Sequence, residues 1–235
     1  MRRSAEWLAG RGCATPRLDA ELVVAHALGV DRLTLYTDHD RPLTPAEADA
    51  CRALVARRGR REPVAYITGE RAFRRLTLQV GAGVLVPRPE TEVLVEWAVQ
   101  VAPEGGTVCD WGTGSGAVAL AVADERPDVR VVGLELSPDA LAVARSNLAR
   151  LPALAGRVEL VQSDGFGAVA GRRFDVVAAN PPYLPRADLD AVEPELGYEP
   201  AAALVAGPSG WELLDRLAAE APAHLAPGGW LLTEV

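Results

Sequence analysis

Thr107-Val108-Cys109-Asp110-Trp111-Gly112-Thr113-Gly114-Ser115-Gly116-Ala117 is the stretch on which the fold turns. An apolar run passes into three glycines at alternate positions and then into the helix-forming series Ala117-Val118-Ala119-Leu120-Ala121-Val122-Ala123, the pattern of a strand, a tight turn and a helix. In such a turn the missing side chains let backbone N–H groups and a helix N-terminus approach a ligand closely. With Ala117 the run also fits the dinucleotide pattern G-x-G-x-x-G/A, so by itself it leaves the ligand open, and glycine-rich turns without any ligand occur as well.

Outward from this turn, apolar strands and helices alternate. Strands are expected at residues 107–111, 129–134, 158–161, 174–179 and 229–235. Helices are expected at 117–125, at 138–150 after the cap Ser137-Pro138, and from the capping pair of Ser209 and Glu212 to about Ala223. This alternation predicts an α/β fold, a doubly wound and mostly parallel sheet of Rossmann-like type with helices on both faces. Residues 1–62 read instead as a small helical domain, with Leu18, Leu22, Val23, Ala25 and Leu28 at helical spacing and Thr44-Pro45-Ala46-Glu47 as a capping box. His26 sits among apolar neighbours and reads as a core or boundary residue. Residues 63–86 form a third region, with β-rich segments at 64–68 and 76–80 broken by Gly69, Gly81 and Gly83, which predicts a hairpin linker.

The composition, 49% hydrophobic and 24% charged over 235 residues, excludes collagen, disorder and coiled coil. The longest apolar runs are far shorter than the roughly 20 residues of a membrane span, and Met1-Arg2-Arg3 leads into no apolar signal core. A soluble, cytoplasmic protein that contacts no membrane is expected, a monomer because no long apolar stripe is left over. Cys13, Cys51 and Cys109 are scattered without partners at ligand spacing, so buried thiols are expected, with no disulfide framework and no metal. All 24 basic residues are Arg. The net charge of −8 divides into about +4 over residues 1–85 and about −12 over the rest, so the acidic part would repel a phosphate backbone. The cluster Arg57, Arg58, Arg60, Arg61, Arg71, Arg74 and Arg75 reads either as a solvated helix end or as a docking surface for an acidic or ribonucleoprotein partner.

Three further positions carry chemistry. Glu135 ends the second strand, where a carboxylate can accept from both hydroxyls of a ribose, as suits NAD and S-adenosylmethionine equally. Asp164, in Gln162-Ser163-Asp164-Gly165-Phe166, offers an acid for an adenine amino group and Phe166 an aromatic for its face. Asn180-Pro181-Pro182-Tyr183 follows the apolar strand 174–179 directly. Two consecutive prolines donate no backbone N–H and hold the chain extended. The Asn180 oxygen and the Pro181 carbonyl then present two acceptors to the two protons of a planar NH₂ group, with Tyr183 able to pack over its plane. An amide or exocyclic amine nitrogen is a poor nucleophile, so orienting it toward a methyl donor is the catalytic task, and acceptor dipoles stabilise the positive charge that grows on it.

On these motifs the sequence resembles the HemK/PrmC family, the N5-glutamine methyltransferases of peptide chain release factors. The resemblance includes Glu62-Pro63-Val64-Ala65-Tyr66-Ile67-Thr68-Gly69 with Phe73, Leu85-Val86-Pro87-Arg88-Pro89-Glu90-Thr91-Glu92, the glycine loop and Asn180-Pro181-Pro182-Tyr183. It implies methyl transfer from S-adenosylmethionine to the glutamine of the Gly-Gly-Gln motif of a release factor. By the same resemblance Asp110 and Gly112, Thr113, Gly114, Ser115 and Gly116 bind the cofactor with Glu135, Asp164, Gly165 and Asn180, while Asn180, Pro181, Pro182 and Tyr183 hold the substrate amide. Residues 1–62 are then a substrate-docking domain, 63–86 the linker and 87–235 the methyltransferase domain.

Gly165 stands where relatives can carry an aromatic. Relatives also continue with a further helix and a β-hairpin, so a C-terminally truncated methyltransferase domain with an uncovered sheet edge is expected. The alternatives are a glutamine methyltransferase acting on a ribosomal protein and a methyltransferase acting on an exocyclic amine such as adenine N6, which the acidic catalytic part disfavours. A dinucleotide oxidoreductase would share the glycine loop but give Asn180-Pro181-Pro182-Tyr183 no task, and a binding module without catalysis would use only the arginine-rich front domain.

Overall fold

A computed structural model describes residues 1–235, the side chain of Asp190 excepted, and the chain forms two compact units. One comprises Met1–Gly69 with Glu193–Tyr198, the other Glu70–Val192 with Glu199–Val235.

The first unit is helical: α1 (Arg2–Ala9), α2 (Pro16–Leu28), α3 (Thr34–Thr37), α4 (Pro45–Gly59) and α5 (Val64–Thr68). The capping box opens α4 as the sequence predicts, with the Glu47 N–H donating to the Thr44 hydroxyl at 3.2 Å and the Thr44 N–H to the Glu47 carboxylate at 2.8 Å; a cap of this kind contributes about 1 kcal/mol. Leu8, Val23, Leu35, Val55 and Ile67 pack into one core. Beside it Arg58 donates to Asp19 at 2.7 Å and to Glu195 at 2.8 Å, with the Arg58 and Asp19 side chains each only 6% exposed. Glu195 also takes both arms of Arg61, at 2.7 and 2.6 Å, and Arg57 binds Glu62 at 2.8 Å. Three of the seven clustered arginines, Arg57, Arg58 and Arg61, therefore meet carboxylates inside the helical unit.

Residues 64–68, expected as a β-rich segment, are helical. Pro63 leads in with φ −54°, Gly69 ends the turn in the left-handed conformation at φ 76°, and the Thr68 hydroxyl donates back to the Val64 carbonyl at 3.1 Å. Val64 and Ile67, three residues apart, both pack on the helical core. Burial on that face overrides the β-propensity of Val, Tyr, Ile and Thr.

The second unit begins with an antiparallel hairpin of β1 (Glu70–Phe73) and β2 (Leu76–Gln79) and continues through α6 (Thr91–Val101), β3 (Thr107–Trp111), α7 (Ala117–Glu125), β4 (Arg130–Glu135), α8 (Pro138–Ala149), β5 (Val158–Gln162) and β6 (Phe174–Ala179). After a short parallel pair, β7 (Leu184–Pro185) with β8 (Val205–Gly207), come α9 (Glu212–His224) and β9 (Leu225–Thr233). The last strand thus starts before the expected residue 229. The Ser209–Glu212 cap forms only in part: the Ser209 N–H donates to the Glu212 carboxylate at 2.8 Å, but the Ser209 hydroxyl accepts from the Trp211 N–H, outside the helix. Among the described residues no helix is long and apolar enough to cross a membrane.

The five-stranded sheet has the order β5-β4-β3-β6-β9, parallel throughout. Alternate side chains go to opposite faces. Val108, Val131, Val176 and Ala178 join Leu94, Val95, Ala98 and the buried residues 117–123 of α7 in one core, while Cys109, Val132, Val177 and Ala179 join Leu217 and Ala221 of α9 in the other. The winding reverses between β3 and β6. Such a switch point opens a crevice at the carboxyl ends of the strands, and because Trp111 pairs with Ala179, Gly112 and Asn180 leave neighbouring strand tips together.

Asp19→Ala would leave Arg58 buried with one fewer carboxylate, so it is expected to destabilise the helical unit by about 3 kcal/mol, read as a lower urea midpoint. Glu6→Ala, which removes the exposed pair Arg2–Glu6, should leave that midpoint where it is; equal shifts for the two variants would contradict a structural role for the buried pair.

Candidate functional site

The chain turns back as soon as β3 ends, and the Gly112 and Thr113 N–H groups both donate to the Leu134 carbonyl at 2.9 Å. Gly112 and Gly114 hold φ 77° and 56°, conformations that glycine adopts without strain. An added Cβ at either would meet nothing within 4 Å, so both positions are open to a guest. Gly116, at φ 86°, is different: a Cβ there would press on Leu120 at 3.1 Å and Ala144 at 3.4 Å. It packs α7 against its surroundings and does not border the cavity described below.

Asp110 is buried beneath the turn. Its Oδ2 accepts from the Thr113 hydroxyl at 2.5 Å and from the Ala119 N–H at 2.9 Å. Ala119 is the third residue of α7, whose N-cap is Gly116, so Asp110 supplies from the preceding strand the capping oxygen that a glycine lacks. Burial pushes its carboxyl up to about 6; the bonds from Thr113 and Ala119 oppose the rise and the Glu135 charge adds to it. Glu135 ties the loop from the other side, accepting from the Gly114 N–H and the Ser137 N–H, each at 2.8 Å.

The expected adenine corner is arranged differently from the sequence reading. Asp164 is exposed and ion-paired with Arg216 of α9, which also holds Glu220 at 2.8 Å. Gly165 holds φ 55°, a conformation that glycine adopts without strain, which accounts for the small residue there. Phe166, expected to offer an aromatic face, is 3% exposed and stacked on His224 with ring centroids 4.3 Å apart. It is core, because the chain after β5 turns its ring beneath α9 and leaves Gly165 at the surface of the cleft.

These elements enclose a cavity of about 270 Å³. Asp110, Gly112, Thr113, Gly114, Ser115, Glu135, Asp164, Gly165, Asn180 and Pro182 border it; Gly116, Pro181 and Tyr183 do not. Pro181 is buried, and Tyr183 is 46% exposed. The Asn180 Nδ2 donates to the Thr91 hydroxyl at 3.1 Å, which engages the donor end of the amide and leaves Oδ1 as its acceptor end.

Several contributors escape the sequence reading. Thr91 and Arg216 border the cavity, and so does Trp111, whose buried indole nitrogen Nε1 has no partner among the described residues. Glu199, buried, accepts from the Val86 N–H at 2.9 Å and pairs with Arg88, fixing Leu85, Pro87 and Arg88 at the cavity rim. Thr91 lies in a quoted motif, but nothing in that motif marks it as a partner of Asn180. Arg216 with Glu220 has the spacing of a solvated helix pair, and Glu199 meets partners more than a hundred residues away.

Two family models match the chain, one described as the PrmC N-terminal domain at residues 1–69 and one as the methyltransferase small domain at residues 89–198. A Geobacter sulfurreducens protein named release factor glutamine methyltransferase is 44% identical over 240 residues, spanning 100% of this chain and 84% of its own length. A Xylella fastidiosa protein of the same name is 44% identical over 222 residues, 93% of this chain and 79% of that one. Among solved structures the hMettl16 catalytic domain shares the fold with a TM-score of 0.50 at 13% identity, covering 62% of this chain and 56% of that one.

The raised carboxyl of Asp110 gives a pH test. Its folded pKa lies above the ordinary value of about 3.9, so the folded chain holds the proton more tightly than the unfolded chain, and stability falls as pH rises from about 4 through about 6, by up to about 3 kcal/mol. Asp110→Asn keeps an oxygen for Thr113 and Ala119 without the charge. Its unfolding free energy relative to the parent is expected to climb between pH 4 and 7 in urea titrations; a constant difference would show that Asp110 titrates normally.

Proposed function

The chain belongs to the release factor glutamine methyltransferase family, and we propose that it transfers a methyl group from S-adenosylmethionine to the side-chain amide nitrogen of the glutamine in the Gly-Gly-Gln motif of a peptide chain release factor. The observation that carries this reading is Asn180, set at the tip of β6 beside the glycine loop, with its amide nitrogen engaged by Thr91 and its oxygen available to a guest.

The cavity residues suit the cofactor. Gly112 and Gly114 leave the backbone open, the acids Glu135 and Asp164 match a cationic molecule that carries hydroxyl and amino groups, and the Trp111 N–H is a buried donor awaiting an acceptor. When bound, S-adenosylmethionine supplies a methyl group made electrophilic by its sulfonium. Gly112 to Ser115 would hold its methionine part, Glu135 its ribose, and Asp164 with Gly165 its adenine, while Gly116 packs the start of α7 behind them.

For the substrate, Asn180 Oδ1 and the Pro181 carbonyl accept the two protons of the glutamine NH₂ and so fix the direction of its nitrogen. Both acceptors are dipoles that stabilise the positive charge developing there during transfer. Tyr183, exposed beside them, packs on the incoming side chain, and Pro182 closes the cavity wall. The helical residues 1–62 dock the release factor, 63–86 link, and 87–235 carry the catalysis, in the cytoplasm and as a monomer.

Incubating the chain with a release factor and S-adenosylmethionine should add one methylene mass to the peptide containing Gly-Gly-Gln, read by mass spectrometry. Asn180→Ala is expected to lower kcat by about 100-fold or more while cofactor affinity stays within a few-fold. Methylation of ribosomal protein or DNA in place of the release factor would overturn the substrate, and equal losses of turnover and cofactor binding would make Asn180 a cofactor residue only.

A further inference from the structure

Thr91 opens α6 and is 4% exposed. Its hydroxyl accepts from Asn180 Nδ2 at 3.1 Å, across 89 residues of chain. A hydroxyl that accepts one bond still has a proton to donate, and a half-buried side chain stands beside it. The Glu234 N–H donates to the Ala179 carbonyl at 3.1 Å, which sets Glu234 alongside Asn180 just past the end of β9. Its carboxyl oxygen Oε2 is buried and has no hydrogen-bond partner among the described residues. Burial pushes this carboxyl up, opposed by contacts with Thr91 and Asn180 and by the Arg88 charge, while Glu90 adds to the rise; those are the side chains that face it.

Resting on the reading that Asn180 orients the substrate amide, we propose that Thr91 and Glu234 are positioning residues that lock the Asn180 side chain with its oxygen toward the cleft. An asparagine amide is nearly symmetric in shape, and rotation by half a turn would offer NH₂ to the substrate NH₂, donor against donor. The geometry removes that choice. Asn180 Nδ2 donates to Thr91 Oγ1, which leaves the Thr91 proton for the neighbouring Glu234 carboxylate, an acceptor only while it is ionised. Because the chain ends on an acceptor, its direction is fixed, and Oδ1 is the one end of the amide left for the cleft. Reversing the amide would break the bond from Nδ2 to Thr91, bring Oδ1 toward the Glu234 carboxylate, acceptor against acceptor, and turn the NH₂ to the cleft.

The test uses ¹⁵N-labelled chain without cofactor, and the Asn180 NH₂ pair is assigned by its loss in Asn180→Asp. In Thr91→Val, which keeps shape and removes the hydroxyl, solvent exchange of that pair should accelerate about 10-fold, the equivalent of one net hydrogen bond. Thr91→Ser should restore the slow exchange. In the methyl-transfer assay Thr91→Val should lower kcat about 100-fold, the cost of a misplaced reacting group, with KM and cofactor affinity within a few-fold and Thr91→Ser regaining most of the loss. Glu234→Gln added to Thr91→Val should cause no further loss, since the chain is already broken. Unchanged exchange in Thr91→Val, failure of Thr91→Ser to rescue, or multiplicative losses in the double variant would overturn the proposal. If the parent chain methylates no release factor yet exchange depends on Thr91 as described, the orientation stands and the substrate reading fails.

Discussion

One buried carboxylate, Asp110, governs the geometry of the cleft. The glycine turn after β3 has few side chains of its own to hold it, and α7 begins at a residue that cannot cap it. A single oxygen of Asp110 meets both needs, binding Thr113 within the turn and Ala119 within the helix. Burying that group is costly, as its raised pKa records. The return is a backbone with its N–H groups already directed: two to Leu134 and one to Glu135. A loop fixed in this way need not be ordered when a ligand arrives.

From that turn the rest of the site follows by topology. Parallel strands whose order reverses beside β3 leave a crevice only at one place, and the neighbour across it is β6. Whatever residue follows β6 must face the glycine turn, and in this chain it is Asn180. The prolines behind it keep the segment from continuing as strand. The hairpin, α6 and α7 serve this arrangement through a shared core, in which Phe73, Leu78, Val95 and Leu120 are almost completely buried.

The parts legible in the sequence were those in which the signal is local. Runs such as Val176 and Val177 between turn residues announce strands, Thr44 with Glu47 announces a helix start, and spaced glycines announce the turn. α5 departs from its sequence pattern because four of its five residues favour strand and lie between a proline and a glycine that suit either structure, and only the contact of Val64 and Ile67 with the helical core decides. The place of Phe166 is not legible in the sequence, because a strand end tells which residues leave the sheet and not which way a ring turns once an adjacent helix offers His224. Thr91, Glu199 and Arg216 had no signal to read, since each acquires its role from a partner that only folding brings near.

The charge pattern illustrates the same limit and bears on why the residue at the strand tip is an asparagine. The basic front and acidic remainder suggested surfaces, yet Glu195, Glu125 and Glu199 bind arginines directly, and Glu135 is bound to backbone N–H groups. Much of the acidity is structural, and the cleft floor already holds Asp110 and Glu135 with Glu234 near its wall. A carboxylate at position 180 would join them, and like charges in a buried place raise one another's pKa until one takes up a proton and becomes a donor. An amide oxygen accepts hydrogen bonds with no formal charge to be suppressed, so it keeps its acceptor character beside these acids. In a cleft where carboxylates already do the fastening, a neutral acceptor is the group that can orient a substrate NH₂ without competing for protons.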